Sequence, residues 1–148
     1  LETLDAAGVP TCWEKSGWGG NTVVWGSGGT AHTGSKAFQL TVSNYVSGDR
    51  KLLVGETAGC APAVVPGKTY DLSVWYMSTA AKNAITLFTH TASGWGYWTD
   101  LAQLAASATY VQANVTTPVI PAGVDMLAWG VSLAGNGTLT TDDYSQVE

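Results

Sequence analysis

The chain has 148 residues, only 11% of them charged, and a formal net charge of −5. That length suits one domain, spanning 1–148, able to bury most of its apolar surface. The acidic balance argues against nucleic acid and anionic membranes as partners, because phosphate recognition needs clustered Lys and Arg, and it weighs mildly against polyanionic glycans.

Other totals narrow the class. Gly, Thr, Ser, Val and Trp are abundant, the profile of a β-rich extracellular domain with many tight turns. Seven Trp are more than a core of this size needs. No run approaches the roughly 20 apolar residues of a membrane span. Cys12 and Cys60 are too few for a structural zinc site and form no Cys-x-x-Cys pair. A disulfide between them fits an oxidising compartment and, on the chain-entropy model, would add about 4 kcal/mol. The chain is expected to be one module of a longer secreted protein, and a monomer.

Taken in order, Leu1–Asp5 reads as the tail of a strand, and Gly17-Trp18-Gly19-Gly20-Asn21 as a glycine-rich loop carrying one ring. Thr22–Trp25 is a short strand followed by a flexible Gly26-Ser27-Gly28-Gly29. Ala37–Val42 alternates, with Phe38, Leu40 and Val42 on one face. Ser47–Lys51 is a charged turn into Leu52–Val54, where Asp49 and Arg50 form either a solvated ion pair or contacts to ligand hydroxyls. Val65-Pro66-Gly67-Lys68 is a turn that launches Thr69–Met77. That strand has Tyr70, Leu72, Val74 and Tyr76 on one face and Asp71, Ser73, Trp75 and Met77 on the other. Ile85–His90 pairs through Ala92-Ser93-Gly94 with Trp95-Gly96-Tyr97-Trp98. Tyr110–Thr117, Met126–Leu133 and Thr138–Val147 follow, the last two joined by Gly135-Asn136-Gly137. About ten short antiparallel strands without an amphipathic helix predict an all-β, two-sheet sandwich or barrel.

Several stretches together carry a resemblance: Leu1-Glu2-Thr3, His32-Thr-Gly-Ser35, Pro66-Gly-Lys-Thr-Tyr70-x-Leu-Ser-x-Trp75, Ala92-Ser-Gly-Trp-x-Tyr-Trp98, Pro121-Ala-Gly123 and Thr140-Thr-Asp-Asp-Tyr144. In this order and spacing the chain resembles the jelly-roll carbohydrate-binding modules around families four, nine and twenty-two. It looks closest to those attached to secreted actinobacterial polysaccharide-degrading enzymes. The resemblance implies a non-catalytic jelly-roll β-sandwich whose concave sheet holds a polysaccharide or oligosaccharide for an attached catalytic domain. It also implies one structural calcium. Glu2 matches the family's glutamate, its closing aspartate falls on Asp143 or Asp142, and Lys36 occupies the turn position that offers a backbone carbonyl. Oxygen-only ligands of this kind suit calcium.

In an extended strand Trp95 and Tyr97 point one way and Trp98 the other. The sugar site is placed at Trp18, Trp98 and the edge pair Asp49–Arg50. Asn21 assists in choosing hydroxyls, Trp75 forms a floor, and Trp95 and Tyr97 take the alternate face. Low charge and the family likeness favour a neutral β-linked glucan or xylan-like chain; a cationic amino-sugar polymer is the variant that the net charge admits. Two other classes compete. A structural or adhesion sandwich shares the fold, and the excess of Trp argues against it. A hydrolase or lyase needs two carboxylates facing across a cleft. Asp142 and Asp143 are neighbours on a strand and point to opposite faces, while Glu14, Glu56, Asp71 and Asp100 are scattered. His32 and His90 are single, and no nucleophile elbow or zinc-protease motif occurs.

Overall fold

The computed structural model describes residues 1–26 and 29–148. Strand follows strand because apolar residues recur at every second position. In order they are β1 (Trp13–Trp18), β2 (Thr22–Gly26), β3 (Phe38–Ser43), β4 (Asp49–Val54) and β5 (Asp71–Ser78). After these come β6 (Asn83–Thr91), β7 (Gly94–Leu104), β8 (Ser107–Thr116), β9 (Met126–Leu133) and β10 (Gly137–Val147). One five-stranded sheet has the order β1-β4-β9-β6-β7 and the other β2-β3-β10-β5-β8. Every pairing is antiparallel. The fold is therefore the expected two-sheet β-sandwich of ten strands.

The core lies between the sheets. Leu127, Trp129, Val131 and Leu133 of β9, with Ile85 and Leu87 of β6, meet Leu72, Val74 and Tyr76 of β5 and Leu40, Val42 and Leu139 of the opposite sheet. Each of these strands contributes alternate residues, as a pleated layer with one buried face requires. In β9 the other parity holds Ala128, Gly130 and Ser132, which are also buried. A Cβ at Gly130 would run into the Leu52 carbonyl of β4, so this close pairing needs glycine.

Three local expectations change. Leu1–Asp5 is not a strand; Leu4 makes only an isolated bridge to Pro10. The Asp5 carboxylate accepts hydrogen bonds from the Ala7 and Val9 amides and reverses the chain at once. Trp18 does not sit in the glycine loop but ends β1, opposite Asp49. Asp49 and Arg50 are likewise the first residues of β4 rather than a turn. Of the expected flexible stretch at Gly26–Gly29, Ser27 and Gly28 lie outside the described residues.

Two irregularities position side chains. The β5–β10 register shifts between Asp142 and Ser145, and Asp143 there has φ 48°. Such a bulge bends the strand and re-aims what it carries. The β6–β7 register shifts between Leu87 and Phe88, so Leu87 opposes Thr99 while Phe88 opposes Tyr97. Trp98 is the extra residue. A disulfide joins Cys12 to Cys60, S–S 2.06 Å, tying the start of β1 to the segment after β4.

Candidate functional site

Directly opposed residues on neighbouring strands share a face of the sheet. On the β1-β4-β9-β6-β7 sheet, the face turned away from the core therefore reads as rows. One row is Ser16, Lys51, Ser132, Ala84 and Gln103; the next is Glu14, Leu53, Gly130, Thr86 and Asp100. Then come Ala128, Phe88 and Tyr97, followed by Met126, His90 and Trp95. Trp18 and Asp49 form the row beyond Ser16.

Two rings stand out of this face. Trp18 is 64% exposed and Tyr97 61%. Trp18 is held from below: Asn21 donates through Nδ2 to the Trp18 carbonyl at 3.2 Å and to the Ser47 carbonyl at 2.9 Å. Arg50 Nε donates to Asn21 Oδ1 at 2.6 Å. Gly48 makes the close approach to the Trp18 carbonyl possible, because a Cβ there would overlap that oxygen. Tyr97 stands against the Phe88 ring, centroids 5.9 Å apart and nearly perpendicular. Trp95 leans on His90 at 5.1 Å, and the His90 ring bonds Asp125 through Nδ1 at 2.7 Å.

Between Trp18 and the β6–β7 hairpin lies a hollow of ≈ 250 Å³, lined by Trp18, Asp49, Lys82, Asp100, Gln103 and Ser132 among others. Its polar groups are fixed in place. Thr86 Oγ1 donates to Asp100 Oδ1 at 2.8 Å and lies 2.9 Å from Ser132 Oγ. Lys51, 2% exposed, pairs with Asp49 and lies 5.6 Å from the Phe88 ring centre. Slight desolvation where the ring leans on its neighbours, and then the nearby Asp100 charge, raise the Tyr97 hydroxyl above the ordinary tyrosine range. Burial, followed by the neighbouring Glu14, likewise raises the Glu56 carboxyl, against the pull of Lys51. A hollow with one ring at its end, another on the same face, and fixed acceptors can stack a flat apolar ring face and accept hydrogen bonds from its hydroxyls.

The structure places all four of Trp18, Asp49, Tyr97 and Trp95 on this face, Trp18 and Asp49 together at its β1–β4 end and Tyr97 and Trp95 on β7 at the opposite edge. Asn21 and Arg50 serve the Trp18 turn. Trp98 is a correction: it packs against the main core, while on the opposite side of β7 Tyr97 stands exposed and Trp95 packs half-buried against the small cluster of Leu53, Val54, Ala61 and Ala128. The cause is β6, whose Ile85 and Leu87 are buried inward, so that Phe88 and His90, and the residues opposite them, face out. Trp75 is a second correction. It belongs to the other sheet, where the His32 ring stacks on it at 4.0 Å and 14°. Sequence reasoning missed Lys51, Gln103 and Ser132. A lysine followed by Leu52 and Leu53 was the available signal that Lys51 sits on a covered strand.

The expected calcium site is overturned. Among the described residues no group of three or more His, Cys, Asp or Glu is placed to hold a metal ion. The residues concerned satisfy one another instead. Glu2 Oε1 accepts from the Ser35 and Lys36 amides and Oε2 from the Ser35 hydroxyl, while Lys36 Nζ donates to the Glu2 carbonyl. These bonds, first those from Ser35, lower the Glu2 carboxyl to about 2. Asp142 Oδ2 accepts from the His32 and Thr33 amides. Asp143 bonds His32 Nδ1 at 2.6 Å and the Thr33 hydroxyl at 2.7 Å. Partial burial works to raise the Asp143 carboxyl, but these bonds hold it below the usual range. Burial and the two aspartates push the Tyr110 hydroxyl up to about 12. The cluster clasps the 30–36 turn to β10.

No family model matches the sequence, and no curated protein does. Solved structures are similar in fold. The xylan-binding domain CBM22-1 from Paenibacillus barcinonensis aligns over 95% of this chain and 87% of its own, with TM-score 0.61 and 16% identity. A family 11 carbohydrate-binding module from Clostridium thermocellum, in complex with a β-1,3-1,4-mixed-linked tetrasaccharide, aligns over 97% and 92%, with TM-score 0.60 and 11% identity. The enzymatically active domain of bacteriophage CBA120 tailspike protein 4 aligns over 93% of this chain but 19% of its own, with TM-score 0.63 and 14% identity. The chain thus has the jelly-roll β-sandwich fold shared by several carbohydrate-binding module families. It carries a cluster of surface aromatics on one sheet of that fold.

Proposed function

We propose that residues 1–148 form a non-catalytic module that holds a neutral polysaccharide, a β-linked glucan or xylan-like chain, across the outer face of the β1-β4-β9-β6-β7 sheet. The observation that carries this reading is the pair of exposed rings, Trp18 and Tyr97, standing on one face with a polar hollow of ≈ 250 Å³ beside Trp18. Each ring stacked on a pyranose contributes on the order of 1 kcal/mol, as other aromatic contacts do. Asp49 and Asp100 accept from sugar hydroxyls. Both carboxylates are already engaged, one by Lys51 and one by Thr86, which supports a hydrogen-bonding role over acid–base chemistry. The xylan-binding and tetrasaccharide-binding neighbours in fold support the choice of a neutral glycan. The module serves an attached carbohydrate-active enzyme in a secreted protein, a setting in which the Cys12–Cys60 disulfide persists.

Affinity electrophoresis through gels containing soluble xylan or mixed-linkage glucan tests the reading. Retardation without release of reducing sugar supports it. Unchanged migration in every neutral glycan points to a structural sandwich, and reducing-sugar release to an enzyme.

A further inference from the structure

A second group of rings lies at the end of the sandwich, where β1 begins and β4 ends, away from the outer-face rows. A hollow of ≈ 200 Å³ opens there, lined by Trp13, Trp129, Tyr144, Ser145, Gln146 and the Cys12–Cys60 disulfide among others. We propose that this hollow is a second ligand site that takes a single uncharged pyranose ring, as a monosaccharide or the end of a chain.

The shape sets the size of the ligand. Tyr144 meets Trp13 at 4.4 Å and 52°, and Trp129 at 5.1 Å and 59°. Rings inclined in this way wall a compact guest, whereas a passing chain needs a flat, open platform. A volume of ≈ 200 Å³ has room for one sugar ring. The bulge between Asp142 and Ser145 is what brings Tyr144 to this position, and bulges recur beside binding sites for that reason.

The lining sets the chemistry. It contains no charged side chain, so a charged guest would lose hydration without compensation. It does contain donors and acceptors at the rim. Trp129 Nε1 donates to Gln146 Oε1 at 3.1 Å, which turns the amide so that its nitrogen is left to donate elsewhere. Ser145 is exposed and adds a hydroxyl. Apolar walls with a few hydroxyl-matching groups describe a site for a sugar ring better than one for an ion or a purely apolar molecule.

The experiment is a titration of ¹⁵N-labelled protein with methyl β-D-glucopyranoside, methyl β-D-xylopyranoside and, separately, phenol, following the indole N–H resonances of Trp13 and Trp129. With one of the glycosides both resonances move and saturate, with a dissociation constant on the order of millimolar. Ser145→Trp, which fills the mouth of the hollow, abolishes the movement, and Gln146→Leu weakens it several-fold. Tyr97→Ala, which damages only the outer face, leaves it unchanged, so failure here is separable from failure of the outer-face reading. The proposal is overturned if the two indoles stay still with both glycosides, if they respond only to phenol, or if their movement survives in both Ser145→Trp and Gln146→Leu.

Discussion

Phe88 and Tyr97 oppose each other across β6 and β7, their rings 5.9 Å apart at 80°, and this pair decides which aromatics of the hairpin meet solvent. Because Leu87 is buried, Phe88 must face out, and Tyr97 with it. Tyr97→Ala is therefore expected to weaken glycan binding about tenfold, near 1.4 kcal/mol, with little change in Tm. Trp98→Ala is expected to do the reverse. Removing a half-buried ring packed on the core costs about 2–3 kcal/mol and leaves binding by the residual folded protein intact. Thermal melts beside calorimetric titrations of the two variants separate these outcomes.

The Asp49–Lys51 pair couples the floor of the hollow to stability. Lys51 is buried, with Asp49 on one side and the Phe88 ring on the other. Asp49→Ala leaves the ammonium without its counter-charge and is expected to destabilise by about 3 kcal/mol. Lys51→Met keeps the packing and costs less stability, yet it releases Asp49 and lowers glycan affinity. Denaturant unfolding of both single variants and the double variant checks this. The double variant should be more stable than the sum of the single effects implies.

The Glu2 clasp makes stability fall in acid. Its folded pKa, about 2, lies below the ordinary glutamate value of 4.5. The stabilisation is therefore complete above roughly pH 4.5, where the unfolded carboxyl is also ionised, and is lost as pH drops through the folded value. Glu2→Gln should melt below the parent protein at pH 7, with the difference shrinking between pH 4.5 and 2. A constant difference across that window would show that charge on Glu2 is not what holds the 33–36 turn.

Reduction of Cys12–Cys60 opens a loop with a sequence separation of 48 residues. On the chain-entropy model this lowers stability by about 4 kcal/mol. Urea unfolding with and without reductant measures it. Alkylation of the untreated protein should add no label.

The sequence made the strands legible because alternation is a local property: Leu72, Val74 and Tyr76, or Leu127, Trp129, Val131 and Leu133, announce their own buried face. The site was legible only in part. Trp18 was singled out by its glycine-rich surroundings and Asp49 by its charge in a charge-poor chain, but the face of Trp98 depends on register with β6 and on a bulge at Trp98 itself, neither of which β7 encodes alone. Trp75 was misplaced for a related reason. Its strand shows which residues face out but not which of the two sheets it joins. The calcium expectation rested on carboxylates at matching positions, whereas the hydrogen bonds that occupy Glu2, Asp142 and Asp143 come from the folded 32–36 turn.

The most direct measurement of the central claim is isothermal titration of soluble xylan and mixed-linkage glucan into the parent protein and into a Trp18→Ala/Tyr97→Ala double variant. Binding by the parent is expected in the micromolar to millimolar range to at least one of these chains, since a shallow surface gives few buried contacts. In the double variant that binding is expected to weaken by more than tenfold, with the melting temperature preserved. Equal binding by both proteins, or no binding by the parent to either glycan, would contradict that claim.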